Sequence, residues 1–345
     1  MIHSKIEWTD HTWPVLNGCR RISPGCQNCY AERLTSTRLR QMPKYKGLAV
    51  YTKGGPRWTG ESRLWHRDLT IPLRLRTPAK IFVCDMGDLF FEGNSDEDID
   101  QVFGVMWACE WLGRGENTYP GHVFQVLTKR IDRARDYLAQ DRSQQWAYAA
   151  VRHGGGSNPD AIWDQVALKK RVHPRIWLGV SAENQEAADE RIPVLLETPA
   201  AVRFVSAEPL LGPVAFHCLF SARHSLDDAP LDWIICGGES GPGARPCALE
   251  WLESIVKQGR EADVPIFVKQ MGAFVVSEQR ACATDAEAKE TFGRDSRWLW
   301  RAGLAKDDRK GQSLMGIEEH NRVRMFPGDA WAPLPAPSTD DDSPF

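Results

Sequence analysis

No run of eighteen apolar residues occurs in this sequence, so no membrane-crossing helix is expected. The opening "MIHSKIEWTD" has no apolar h-region, and the expectation is a chain without a secretory signal. No Walker lysine follows the glycine-rich "CGGESGPG" (236–243), and that stretch is not GxGxxG, so a nucleotide-phosphate loop is weakly supported. A glycine-lined edge against a cofactor and a tight turn remain open there. No second CxxC and no HxxxH lies at finger-like spacing. What the chain does have is a core's worth of apolar residues, 42%, and an ordinary charged fraction, 26%.

Nine cysteines in a chain without a signal suit a reducing compartment, where clustered thiols point to metal. Three of them, Cys19, Cys26 and Cys29, fall within "NGCRRISPGCQNCYAER". A structural zinc site would need a fourth ligand, from His3, His11, Cys84 or Cys236. Three thiolates with no obvious fourth suit a [4Fe–4S] cluster with one open iron, a position S-adenosylmethionine can fill.

The net charge of −3 is unevenly spread. Residues 31–80 hold twelve Lys or Arg and three acids, a local +9 that leaves −12 for the remainder. Tyr45, Tyr51, Trp58 and Trp65 interleave with these cations. Such a segment suits a phosphate backbone with stacked bases, or else a solvated face with core aromatics.

Short apolar runs recur along the chain. They are "KIFVCDMGD" (80–88), "HVFQVLTKR" (122–130), "RIWLGVSAEN" (175–184), "VRFVSAEPL" (202–210), "LDWIICGGESG" (231–241) and "PIFVKQMG" (265–272), with "TWPVLNGC" (12–19) a weaker first. Several are too continuous for a one-sided sheet and read as strands covered on both faces. Helical spacing occupies 95–112, 131–140, 184–197 and 249–262, the first opened by Ser95 as N-cap. The alternation predicts an α/β fold, a partial or complete (β/α) barrel, with a doubly wound sheet as the alternative. One domain is expected over 1–326, with a basic insertion at about 31–79, where "YTKGGPRWTG" reads as a loop, and a lid-like insertion at about 141–172. A disordered Pro- and acid-rich tail is expected over 327–345. Active-site groups of such folds gather at the strands' C-terminal ends. Here those ends carry Asp85 and Asp88, Lys129, Ser181 and Glu183, Ser206 and Glu208, Glu239, and Lys269.

The three-cysteine loop after the first strand and the polar strand ends resemble the radical SAM superfamily. The loop is CxxxxxxCxxC, three residues longer in its first gap than CxxxCxxC, and the aromatic Tyr30 follows the last cysteine. Together with "FVCDMGDLF", "LTKR", "WLGVSAEN", "FVSAEPLLGPV", "DWIICGGESGPGARP" and "FVKQMG", it is similar to a phage-associated three-cysteine family. That resemblance implies thymidine hypermodification, as 5-Nα-glycinylthymidine radical SAM isomerase, in the cytoplasm of an infected bacterial host. It implies that Cys19, Cys26 and Cys29 ligate the cluster. Tyr30, Ser181, Glu183, Ser206, Gly237, Gly238 and Glu239 would surround S-adenosylmethionine. Lys129 or Lys269 would hold the glycine carboxylate, and Asp85, Asp88 or Glu208 its amine. DNA along residues 31–80 and a flavodoxin-type electron donor are the implied partners. Repair or tRNA modification of another base, and a non-catalytic zinc-stabilised DNA-binding phage protein, are the competing readings.

Overall fold

The computed structural model describes residues 2–4, 6–109, 121–154, 159–168, 173, 175–217, 231–241 and 243–276. The expected tail, the domain end at 326 and parts of 141–172 lie outside the described residues.

The fold is α/β, and its main sheet follows chain order. Strand β1 (Ile2–His3) pairs antiparallel with β2 (His11–Trp13). From β2 onward the neighbours are parallel: β3 (Lys80–Val83), β4 (Val123–Thr128), β5 (Ile176–Ser181), β6 (Val202–Ala207), β7 (Trp233–Gly237) and β8 (Ile266–Gln270). The seven parallel strands curl into a half-barrel. Among the described residues β1 and β8 remain edges, so the partial barrel holds and the closed one does not. No described helix is long and apolar enough to cross a membrane.

Helices cover the outer face, including α2 (Asp96–Cys109), α3 (Ile131–Leu138), α5 (Gln185–Glu197) and α6 (Leu249–Ala262). Ser95 caps α2 by accepting from Asp98 N at 3.1 Å. Asn184 caps α5 by accepting from Ala187 N at 3.0 Å. The helices bury Val126, Leu178, Val180, Val205 and Ile234 beneath them. The opposite face of the same strands carries Trp177, Phe204, Trp233 and Phe267, joined by Trp8. Trp233 is the hub, with ring centroids 6.0 Å from Trp177, 5.8 Å from Phe204 and 6.2 Å from Trp8. Burial on both faces explains why the strand runs are nearly unbroken in hydrophobicity.

Strand periodicity then decides what stands above this aromatic floor. Side chains two apart share a face. Trp177 is followed on that face by Gly179 and Ser181, Phe204 by Ser206, and Phe267 by Lys269. Each strand turns from aromatic to polar as it reaches its C-terminal edge.

Two expectations for the insertions are corrected. "YTKGGPRWTG" is not a loop but most of a β-hairpin, Ala49–Thr52 paired antiparallel with Gly55–Trp58. Thr52 Oγ1 accepts from Gly54 N at 3.1 Å and donates to Gly55 O at 2.9 Å, which closes a two-residue turn. The described part of 141–172 is no lid. Helix α4 (Ser143–Gly154) packs on α2, where Ala147, Ala150, Ile162 and Val166 bury Trp107 and Ala108. Its buried alanines are taken up by that packing, and none of its residues lines the cleft at the polar strand ends.

Candidate functional site

The polar strand ends and the cysteine loop enclose one cleft of about 280 Å³. Cys19, Cys26, Cys29 and Tyr30 form one wall. Asp85, Asp88, Lys129, Ser181, Ser206, Glu208, Gly238, Glu239 and Lys269 line the rest. Glu183 and Gly237 lie just behind this lining. The fold thus brings the polar ends of separate strands and the cysteine loop to one place.

Gly18 starts the cysteine loop with φ +97°, a conformation that favours glycine. A Cβ there would also meet Glu61 O at 2.2 Å. The loop is then fastened at three places. Arg130 Nη1 donates to Cys19 Sγ at 3.5 Å and Nη2 to Arg20 O at 2.7 Å. Glu183 Oε1 accepts from Gly25 N at 3.3 Å, and a Cβ on Gly25 would lie 2.8 Å from the Glu183 carboxyl carbon. Glu239 accepts from Asn28 Nδ2 at 2.9 Å and from Arg245 Nη2 at 2.7 Å, while Arg245 Nη1 donates to Pro24 O at 2.8 Å. Helix α1 (Tyr30–Ser36) follows, and Tyr30 donates its hydroxyl to Asp85 O at 2.5 Å.

These contacts revise several expected roles. Asp88 was expected to hold a substrate amine, but its oxygens already accept from four donors: Thr128 Oγ1 at 2.8 Å, Phe90 N at 3.0 Å, Lys129 N at 3.1 Å and Arg130 Nη1 at 3.1 Å. It is a buried anchor for the ends of β3 and β4. Glu183 and Glu239 hold the cysteine loop. Burial opposes ionisation of Glu183, but Lys129, a hydrogen bond from Ser23 and Arg191 outweigh it and lower its pKa. For Glu239, burial is outweighed in the same way by hydrogen bonds from Arg245 and Asn28. Gly237 and Gly238 serve close packing: a Cβ on Gly238 would meet Met271 O at 2.1 Å, and one on Gly237 would meet Gln270 O at 2.8 Å. Glu208 pairs with Lys269 at 3.1 Å. The position-specific anchors Arg130, Arg191, Arg245 and Asn28 were missed, although Arg130 and Arg245 end the quoted "LTKR" and "GGESGPGAR".

Two other groups in the cleft are held less tightly. The Lys129 ammonium has no ion pair within 4 Å and no hydrogen bond among the described residues, though its charge is near enough to lower the Glu183 pKa. Asp85 Oδ1 is buried without a hydrogen-bond partner. Burial raises the Asp85 pKa to about 6, with Lys44 and Thr12 opposing the rise. An unfolded aspartate titrates near 3.9. Between about pH 4 and 6 the folded chain therefore holds a proton that the unfolded chain has lost, and stability falls as pH rises through that window. Asp85→Asn is expected to be the more stable protein at pH 8, by about 3 kcal/mol at most, with the difference vanishing near pH 4. Urea melts at both pH values check this, and a pH-independent difference would refute it.

The three thiols are half-buried and unpaired in disulfides. Burial raises the Cys19 pKa to about 12, with Asp88 adding to it and Arg130 opposing, and burial likewise raises Cys29. Among the described residues no three His, Cys, Asp or Glu side chains close around a single ion. A cubane cluster distributes its thiolates over separate irons, and three cysteines round one cleft suit that donor set, with Arg130 placed to offset thiolate charge. Cys84 and Cys236 are buried and do not line the cleft.

The basic segment is only partly available to a partner. Lys44 is buried and pairs with Asp68 at 2.5 Å, so it is not a phosphate contact. Arg63 donates to Pro43 O at 2.8 Å and Lys46 O at 3.1 Å. Trp58 is half-buried and lines the cleft, and Tyr45 is buried.

No curated protein and no solved structure matches the chain. Residues 3–335 match the family model described as "Protein of unknown function (DUF5131)", and the chain belongs to that family.

Proposed function

We propose that this protein is a radical SAM enzyme that rearranges a hypermodified thymine in DNA, converting 5-Nα-glycinylthymidine to 5-Cα-glycinylthymidine. One observation carries the reading: three thiols of a single fastened loop share one cleft with Lys129, Asp85, Ser181 and Ser206. Cys19, Cys26 and Cys29 would hold the [4Fe–4S] cluster, and Ser181 and Ser206 the S-adenosylmethionine beside it. When bound, these groups supply a 5′-deoxyadenosyl radical able to abstract hydrogen from carbon.

The residues of this chain orient the substrate. Lys129 offers a lone cation to the glycine carboxylate. Asp85, with its pKa near 6, sits where it can hold the amine and carry its proton. In the overall change the bond from the thymine methylene to nitrogen breaks and a bond from that methylene to the glycine α-carbon forms. One hydrogen leaves that carbon and nitrogen gains one, so atoms balance and mass is unchanged. The apolar side chains Trp8, Phe82 and Leu127, which line the cleft and pack on the aromatic cluster beneath it, keep water from that side. An electron donor of flavodoxin type and the cytoplasm of a phage-infected host accompany this reading.

The test is anaerobic incubation with S-adenosylmethionine, dithionite and DNA bearing 5-Nα-glycinylthymidine, followed by nucleoside mass analysis. A product of unchanged mass and new retention and fragmentation is expected. Unaltered nucleoside with intact S-adenosylmethionine would overturn the reading. Zinc without sulfide in the anaerobically purified protein would favour the DNA-binding alternative.

A further inference from the structure

We infer that the β-hairpin Ala49–Trp58 is a wedge that enters DNA beside the cleft and stacks Tyr51 in the gap left by the base drawn out. The inference rests on the nucleic-acid reading above and adds the element that opens the duplex.

The hairpin is fixed at one end and exposed at the other. At its base, Trp58 N donates to Glu32 Oε1 at 2.7 Å, and Arg21, paired with Glu32, donates to Pro56 O at 3.1 Å. Helix α1, directly after Cys29, packs against both hairpin strands. The wedge is thus braced on the segment that carries the thiols. At the far end the adjacent Val50 and Tyr51 are 47% and 64% exposed.

The register gives the tip a direction. Ala49 pairs with Trp58, Val50 with Arg57, and Tyr51 with Pro56. Alternation therefore puts Tyr51 on the face that carries Trp58, two pairs nearer the tip, and Trp58 lines the cleft. Val50 and Arg57 occupy the other face.

Charge selects the occupant. From His11 to Gly60 the sole acid is Glu32, which is buried and paired with Arg21. The exposed charges of this region are all positive, among them Arg33, Arg38, Arg40, Lys46, Lys53 and Arg57. An anionic lipid surface would also take cations and an apolar tip, but would have no use for a tip on the face that carries the cleft-lining Trp58. An opened DNA duplex accounts for both: phosphates for Lys53 and Arg57, an unstacked base step for Tyr51. A thymine C5 substituent projects into the major groove, and drawing the base out of the helix is what would seat it fully among the strand ends of the cleft.

The experiment uses full-length protein and a DNA duplex with 2-aminopurine next to the target thymidine, read by fluorescence on binding and by anisotropy across salt concentrations. Wild type is expected to raise the fluorescence. Tyr51→Ala is expected to lose most of that rise, to bind single-stranded DNA about tenfold or more weakly, and to keep wild-type iron content and uncoupled S-adenosylmethionine cleavage. Tyr51→Phe should restore the rise. Changing Lys53 and Arg57 together to alanine should flatten the log–log salt slope by about 2. A wild type that opens the duplex and a Tyr51→Ala protein that opens it equally would overturn the wedge and leave the enzyme reading standing. A wild type that modifies free nucleotide yet shows no salt-dependent binding to DNA would overturn the wedge and the DNA substrate together.

Discussion

Cys26→Ala is expected to purify anaerobically with almost no iron or sulfide, whereas Cys236→Ala keeps both at the wild-type level. The contrast follows from position. Cys26 lies on the loop that walls the cleft, 3.8 Å from Ser23 Oγ, with room for a ligand in front of it. Cys236 is fully buried in β7 and takes no part in the cleft lining. A thiol enclosed in packing with no opening in front of it is a small hydrophobe. Cys19→Ala and Cys29→Ala should match Cys26→Ala, because a cluster with two protein thiolates is poorly held. Iron and sulfide assays with absorbance near the thiolate-to-iron bands read the result. About four irons per chain in Cys26→Ala would remove the three-cysteine assignment.

Arg130→Met should be the most destabilising single change in the cleft wall, by about 3–5 kcal/mol. Arg130 and Asp88 are both buried, with side-chain exposures of 4% and 8%. Burial alone would lower the Arg130 pKa, but Asp88, Cys19 and Glu92 more than reverse this and keep it charged. Removing the guanidinium strands the Asp88 carboxylate and frees both Cys19 and the Arg20 carbonyl. Asp88 keeps three other donors, so the loss should fall toward the lower end of that range. Restoring neutrality with Asp88→Asn in the same chain should recover part of it, since the isolated buried charge is the main cost. Urea unfolding of the metal-free proteins separates this from any effect on the cluster. A single variant within 1 kcal/mol of wild type would show that the pair is dispensable to the fold.

The strands were legible because burial on both faces leaves a dense apolar signature, and each ends where polar residues begin. Trp177, Gly179, Ser181 and Phe204, Ser206 display the two-residue period directly. The α2, α3, α5 and α6 helices were legible from spacing and caps. The hairpin was missed because its Gly-Gly-Pro content reads as loop, whereas Gly54 and Gly55 make the tight turn and Pro56 sits at the start of a two-stranded edge. The lid was expected from a break in strand spacing, and a break does not say on which face the extra chain packs. Alanines at 147, 149 and 150 send it to α2 on the outer face.

For the site, sequence alone determined which chemical groups reach the C-terminal edge, because strand period and chain direction are local properties. It also determined that three thiols arrive together, because they sit within one short loop. Only the tertiary structure decided which of those groups are free to act. Asp88, Glu183 and Glu239 look in sequence just like Asp85, yet each meets a cation or backbone amide contributed from elsewhere in the fold. Asp85 Oδ1 accepts no hydrogen bond, and Lys129 acts on Glu183 only through its charge. Pairing across 42 residues, as from Arg130 to Asp88, depends on strand order and on the close approach that the fold permits, and no local pattern encodes it.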